Sequence, residues 1–143
     1  MAKSVFTREE LIQRAFLRLA RHLFELWEEG TGVHSRFFEE PIILDKYVVY
    51  GSSENGGSYR EHVVPCAWLR NHCRQMFDNG SSVIEVANEM RRLLAIVLIT
   101  AEERSKIDEA LGLKTTMPKN WNPKTDSIFA RLEVAGVKVK KAA

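Results

Sequence analysis

The segment from Thr7 to Gly30 constrains the fold most, because it is amphipathic and carries signals for both ends of a helix. Thr7 and Glu10 form a capping-box pair, and Gly30 can adopt the left-handed conformation that commonly follows a helix. Apolar residues recur at helical spacing: Leu11, Ile12, Ala15, Phe16, Leu19, Leu23 and Phe24. The sequence therefore predicts a helix from about Arg8 to Glu29, whose apolar stripe must be buried against other elements.

Three segments downstream have the composition of β-strands. We predict strands over 47–50 and 59–64, joined by the polar, glycine-rich loop 51–58 into a long-loop hairpin. The apolar run 93–99 predicts a further, buried strand. Because this run is much shorter than the roughly 20 residues that cross a bilayer, we expect no contact with a membrane.

The remaining chain carries start and stop signals for short helices. These predict four elements: residues 66–79 between Pro65 and Gly80, a helix headed by Ser82 with Glu85, one headed by Thr100 with Glu103 and ending near Gly112, and a short helix over 127–135. Between the last two, Pro118 and Pro123 indicate an irregular segment. A basic tail follows the final helix.

Length and composition point to one folded unit. The chain has 143 residues, of which 45% are hydrophobic and 28% charged, as in an ordinary globular protein. The order of elements predicts a single α+β domain over residues 1–143: a long N-terminal helix packed on a small antiparallel sheet, with additional helices covering it.

Charge and cysteine content restrict the possible binding partners and the cellular compartment. A net charge of +2 creates no global field, so any binding to nucleic acid must come from a local patch. Cys66 and Cys73 are two turns apart on a predicted helix, beyond disulfide reach, and we expect free thiols in a reducing compartment. The sequence begins without a secretory signal, which favours the cytoplasm.

The segment 60–65, Arg-Glu-His-Val-Val-Pro, is the stretch whose residue order suggests specific chemistry. It resembles the HNH, or His-Me finger, endonucleases, in which an acidic residue, a His and an apolar-apolar-Pro ending close a β-hairpin. The resemblance implies that Glu61 binds a divalent metal, magnesium or manganese, and that His62 is the general base. In the family a later helix supplies another ligand, often His or Asn. Here Glu102 or Glu103 would take that place, and we assign it to Glu103.

This departure from the family pattern favours a non-catalytic protein. We predict a degenerate HNH-like hairpin, retained in an interaction module without a cofactor, that contacts nucleic acid or a complex handling nucleic acid. The chain also resembles small accessory proteins of phages and mobile elements, including anti-CRISPR inhibitors of host defence nucleases. Two alternatives stay open: an active metal-dependent endonuclease with His62 as base, and no relation to the family. The oligomeric state is left open.

Two other chemistries can be built from the same region. His62, Cys66, His72 and Cys73 offer zinc ligands, but the two thiols are about 10 Å apart along one helix, so both cannot easily reach one ion. Cys66 near a helix start, with His62 four residues earlier, could act as a nucleophile and its base. We favour small buried thiols instead.

Basic and aromatic residues elsewhere suggest contact surfaces. Arg14, Arg18 and Arg21 lie at i, i+4 and i+7 on one face of the first helix. A solvated salt-bridge face, partly neutralised by Glu10 and Glu25, is the favoured interpretation, and a phosphate or partner contact is the alternative. Trp121 either stacks on a base or, as we favour, plugs the core beneath the irregular segment.

Overall fold

The first helix forms as the sequence predicts and is capped at both ends. In the computed structural model, which describes residues 5–38 and 43–142, it spans Arg8–Glu28 (α1). The Thr7 hydroxyl accepts from the Glu10 amide at 3.1 Å, and the Thr7 amide donates to the Glu10 carboxylate at 3.0 Å. Gly30 follows in the left-handed conformation, with φ of 70°. The predicted helix is confirmed, and so are its start signal at Thr7 and its stop signal at Gly30.

Five shorter helices, one 3₁₀ turn, one π turn and four strands complete the described chain. The helices are α2 (Asp45–Val48), α3 (Cys66–Asp78), α4 (Val83–Leu93), α5 (Ala101–Ser105) and α6 (Ala130–Val134). A 3₁₀ turn spans Ser35–Phe38, and a π turn, Lys106–Ala110, continues α5. The strands are β1 (Val49–Ser53), β2 (Tyr59–His62), β3 (Ile96–Ile99) and β4 (Val139–Lys141). The predicted α+β class, with a long N-terminal helix, is therefore confirmed.

The strands form one mixed sheet in the order β2-β3-β1-β4. β3 pairs parallel with β1 and antiparallel with β2, while β4 pairs antiparallel with β1. The predicted hairpin between β1 and β2 is therefore wrong, and the sheet is not purely antiparallel. The reason is burial: Ile96, Val97 and Ile99 are at most 1% exposed, so β3 takes a central position between two more polar strands.

Two strand boundaries also differ from the prediction. Tyr47 and Val48 belong to α2, and β1 extends instead through Gly51 to Ser53. At Gly51 a side chain would collide with the carbonyl of Lys140 in β4, so the glycine permits close approach of these two strands. The basic tail forms β4, which we did not predict, although Val137 to Lys140 alternate apolar and basic residues as in a half-buried strand.

The core lies between the sheet and the longer helices. α1 packs mainly on α4 and also contacts α3. Leu19, Leu23, Leu69, Met90 and Val97 are fully buried, in one hydrophobic cluster that draws on α1, α3, α4 and β3. None of the helices in the described ranges is both long and apolar enough to cross a membrane.

Candidate functional site

The predicted residues Glu61 and His62 lie at the end of β2, in a cleft of about 220 Å³. β2 ends at His62, and Pro65 occupies the N-cap position of α3, so Cys66 enters the same cleft from the first turn of that helix. Lys114, Asp108 from the π turn and Arg131 from α6 contribute charged groups to its lining. The structure thus brings together the segment that the sequence singled out with three charged residues that the sequence did not connect to it.

Arg131 organises this cleft. Its side chain is 1% exposed, and its guanidinium contacts the Glu61 carboxylate at 2.9 Å and lies 3.9 Å from Asp108. It also donates to the carbonyls of His62 and Leu113, both at 2.8 Å. These contacts join β2, the segment after the π turn and α6. Glu61 is consequently a partner in a buried ion pair that holds α6 on the sheet.

The buried position of Glu61 changes its acidity. Burial raises the pKa of Glu61 above its ordinary value, and the negative charge of Asp108 raises it further. The positive charge of Arg131 and its hydrogen bond oppose both effects. Arg131 is thus the group that makes an ionised Glu61 tolerable in this cleft.

Glu103, the other predicted metal ligand, has a capping role. One carboxylate oxygen accepts from the Thr100 amide at 2.9 Å, and the other accepts from the Ser53 hydroxyl at 2.7 Å and the Asn55 side chain at 3.2 Å. Although partial burial raises it, these hydrogen bonds together lower the pKa of Glu103. The residue ties the start of α5 to the end of β1.

The two predicted metal ligands therefore have separate partners. Glu61 is paired with Arg131, whereas Glu103 binds Thr100, Ser53 and Asn55. Within residues 5–38 and 43–142, no group of three or more His, Cys, Asp or Glu side chains could hold a metal ion. The present contacts use one carboxylate oxygen of Glu61 and both carboxylate oxygens of Glu103.

The candidate zinc and thiol residues are divided in the same way. His62 and Cys66 line the cleft, but His72 contacts Glu89 at 2.7 Å and stacks on Trp68. Cys73 is fully buried, and burial raises the pKa of its thiol. Both thiols are free, as predicted.

Trp121 is half-buried against the core and donates to the Ser127 carbonyl at 2.8 Å, which confirms the predicted plug.

The predicted arginine stripe is exposed on the outer face of α1. Arg14, Arg18 and Arg21 all lie in solvent, and Arg14 sits 4.1 Å from the Phe6 ring centroid. Among the described residues the three arginines form no ion pair with Glu10 or Glu25, but the Thr7 hydrogen bonds, together with the Arg14 charge, lower the pKa of Glu10. The stripe is therefore partly neutralised at Arg14, while Arg18 and Arg21 lie in solvent.

A second basic surface was not predicted. Arg8, Lys46 and Lys141 surround a groove of about 480 Å³ at one end of the sheet, together with Tyr47 and Tyr50. We call it the basic groove. The aliphatic residues Val48, Val49, Leu94 and Ala95 form the apolar part of its lining, which we call the apolar floor. The described residues that line it include no carboxylate.

Backbone and ring contacts fix the shape of the basic groove. Arg8 donates to the Lys46 carbonyl at 2.6 Å, which attaches the start of α1 to α2. The Ala142 amide donates to the Tyr50 carbonyl at 2.9 Å, which places the end of β4 beside β1. The Tyr50 ring is 36% exposed and packs on Phe129 with the ring centroids 4.8 Å apart.

Little in the sequence could have revealed this groove. Its three cations come from α1, α2 and β4, and no periodicity links them. The local signal is Lys46 followed by Tyr47 and Tyr50, which combines a cation with aromatic residues. The decisive information is the sheet order, since β4 reaches the groove by pairing with β1.

Comparisons with protein-family models, with curated proteins and with solved structures found no match to this chain. The cleft, the arginine stripe and the basic groove are accordingly the features that bear on function.

Proposed function

We propose that this chain is a non-catalytic interaction module that binds nucleic acid at the basic groove. The observation that carries the proposal is the grouping of Arg8, Lys46 and Lys141 around one groove whose described lining has no carboxylate. In a chain with a net charge of only +2, such a grouping is a local positive patch of the kind that attracts phosphate. The tyrosines add aromatic surface, which is typical of proteins that contact nucleic acids.

The arginine stripe on α1 supports the same proposal as a second region of contact. Arg18 and Arg21 are exposed and have no ion-pair partner among the described residues, so binding a phosphate would not require an existing salt bridge to break. An exposed arginine can form two parallel hydrogen bonds to a phosphate. The groove and the stripe would then share one electrostatic attraction for a polyanion.

The cleft around Glu61 and His62 favours a binding role over hydrolysis. A metal-dependent nuclease needs carboxylates that are available to the metal, whereas Glu61 is engaged with Arg131 and Glu103 with three hydrogen-bond donors. We therefore retain the HNH-like segment as a structural element in this proposal. Within it, the chain acts in the cytoplasm, as an accessory protein that meets nucleic acid alone or within a larger complex such as a defence nuclease.

The proposal predicts that reversing two groove charges abolishes most of the affinity for nucleic acid. Binding of wild type and of the Lys46→Glu/Lys141→Glu variant to labelled oligonucleotides would be followed by fluorescence anisotropy between about 50 and 200 mM salt. We expect the variant to bind at least about tenfold more weakly, with the slope of log K against log salt reduced by about two.

A matched control carries the same change of net charge outside the groove. Lys106 and Lys119 are exposed and do not line it, so Lys106→Glu/Lys119→Glu tests long-range electrostatics alone. Equal losses in the two double variants would contradict a specific groove. Absence of wild-type binding to any nucleic acid at low salt would contradict the proposal itself.

The non-catalytic part of the proposal has its own test. We expect no cleavage of plasmid or single-stranded DNA in magnesium or manganese, and we expect His62→Ala to bind oligonucleotides as the wild type does. His62 is outside the basic groove, so its side chain should not contribute to binding there. Cleavage that requires both a divalent metal and His62 would establish the nuclease alternative instead.

A further inference from the structure

The floor of the basic groove indicates which form of nucleic acid it fits. Besides the cations and tyrosines, the lining contains the aliphatic residues Val48, Val49, Leu94 and Ala95, of which Val48 and Leu94 are 7% and 4% exposed. The outer surface of a duplex offers phosphates and sugars, and its bases are stacked inside with polar edges in the grooves. Contact with a duplex would leave an apolar floor unused. An unpaired base, in contrast, has a broad face that can cover it.

Among the described residues, the two lysines of the groove are held only by long ring contacts, whereas Arg8 also donates to the Lys46 carbonyl at 2.6 Å. Arg8 and Lys46 lie 5.4 and 5.5 Å from the Tyr47 ring centroid, and Lys141 lies 5.6 Å from that of Tyr50. These distances approach the outer limit of about 6 Å for a cation–π contact. The other two such contacts in the described residues, Arg14 on Phe6 and Arg104 on Tyr59, are at 4.1 and 4.3 Å. Lys46 and Lys141 can therefore turn towards phosphates at little cost, and Arg8 has further N–H donors beyond the one bound to the Lys46 carbonyl.

Tyr50 is placed to receive a base. Its ring is partly exposed and is supported by Phe129, so it does not have to be ordered when a ligand binds. An aromatic ring beside cations is the combination by which proteins hold single strands, since bases stack on the ring while the cations follow the backbone. The volume of about 480 Å³ is within the range of about 300–1,000 Å³ that small ligands occupy.

We infer that the basic groove binds single-stranded nucleic acid without sequence preference, seating an unpaired base on Tyr50 with its phosphates at Arg8, Lys46 and Lys141. This inference rests on the proposed function and specifies its ligand. Every base has a π face, so a site of this kind discriminates strandedness rather than sequence. The chemistry is common to DNA and RNA, and the two are separated by experiment.

The test compares single-stranded DNA, single-stranded RNA and a DNA duplex of equal length, with wild type and Tyr50→Ala. We expect wild type to prefer one or both single strands over the duplex. Tyr50→Ala should weaken single-strand binding by about 5- to 150-fold, the usual loss for one base–aromatic stack, and should leave duplex binding within about twofold of wild type. Tyr50→Phe should restore single-strand affinity, because it keeps the ring.

Tyr59→Ala is the matched control, since Tyr59 is 39% exposed and lies on β2 outside the groove. Equal affinity of wild type for duplex and single strand, or an equal effect of Tyr50→Ala and Tyr59→Ala, would overturn the single-strand inference while leaving nucleic-acid binding in place. A wild-type protein that binds none of the three probes would overturn both. A loss in Tyr50→Ala that Tyr50→Phe does not restore would exclude stacking.

Discussion

Arg131→Ala is expected to lower the free energy of unfolding by about 3–5 kcal/mol, the usual cost of breaking a buried ion pair from one side. The substitution leaves the Glu61 carboxylate buried beside Asp108 without its positive partner. It also removes the donors to the carbonyls of His62 and Leu113. Urea unfolding followed by circular dichroism would measure the change.

Arg104→Ala is the control for this experiment. Arg104 also contacts Asp108, at 3.5 Å, but its side chain is 45% exposed, and an exposed ion pair contributes about 1 kcal/mol or less. We therefore expect a small change in the unfolding free energy. If Arg131→Ala is no more destabilising than Arg104→Ala, the attachment of α6 to the sheet does not depend on Arg131.

The penalty in Arg131→Ala should also depend on pH. Burial raises the pKa of Glu61 above its ordinary value of 4.5, and loss of the opposing Arg131 charge raises it further. A carboxyl whose pKa is raised by folding takes up a proton on folding, so the folded state is stabilised as the pH falls through that raised pKa. We expect Arg131→Ala to lose less stability, relative to wild type, near pH 4.5 than at pH 7.

Gly57→Ala is expected to cost about 3 kcal/mol or more. Gly57 has φ of 104°, a conformation that costs other residues about 1–3 kcal/mol. An added Cβ would also collide with the backbone carbonyl of Ile99 and the amide of Thr100, and overpacking of this kind costs about 1–3 kcal/mol. Because the obstacle is backbone, no side-chain rotation can relieve it. Thermal and urea unfolding would both report the loss.

A substitution at the neighbouring Gly56 separates the cost of the backbone conformation from the cost of the collision. Gly56 has φ of 82°, but an added Cβ there would meet nothing within 4 Å. Gly56→Ala should therefore show the conformational cost alone, about 1–2 kcal/mol. Equal losses in the two variants would mean that the approach of Gly57 to the junction of β3 and α5 contributes nothing to stability.

Local signals predicted the helices well, and non-local pairing limited the prediction of the sheet. Capping boxes at Thr7, Ser82 and Thr100 depend on residues three positions apart, so each could be identified from a short window, and all three are formed. Strand order depends on which strand is buried from both sides. The apolar composition of β3 predicted that it would be buried, but it did not predict that β3 would lie between β1 and β2.

The candidate sites show the same difference between local and non-local information. Glu61 and His62 could be singled out because their motif is contiguous. The role of Glu61 could not be inferred, because its partner Arg131 is distant in the sequence: the same guanidinium also binds the carbonyl of the adjacent His62, 69 positions away. The exposure of the arginine stripe followed from helical spacing. The basic groove was missed because Arg8 and Lys141 come from opposite ends of the described chain.

This last feature couples binding to folding. A ligand that contacts both Arg8 and Lys141 would tie the first helix to the last strand, and it would bind the native chain in preference to an unfolded one. By mass action such a ligand raises the free energy of unfolding with the logarithm of its concentration relative to the dissociation constant, by about 2.7 kcal/mol at a hundredfold excess, and the melting temperature rises with it. Occupancy of the groove would thus protect elements at both ends of the fold from local opening and from proteolysis.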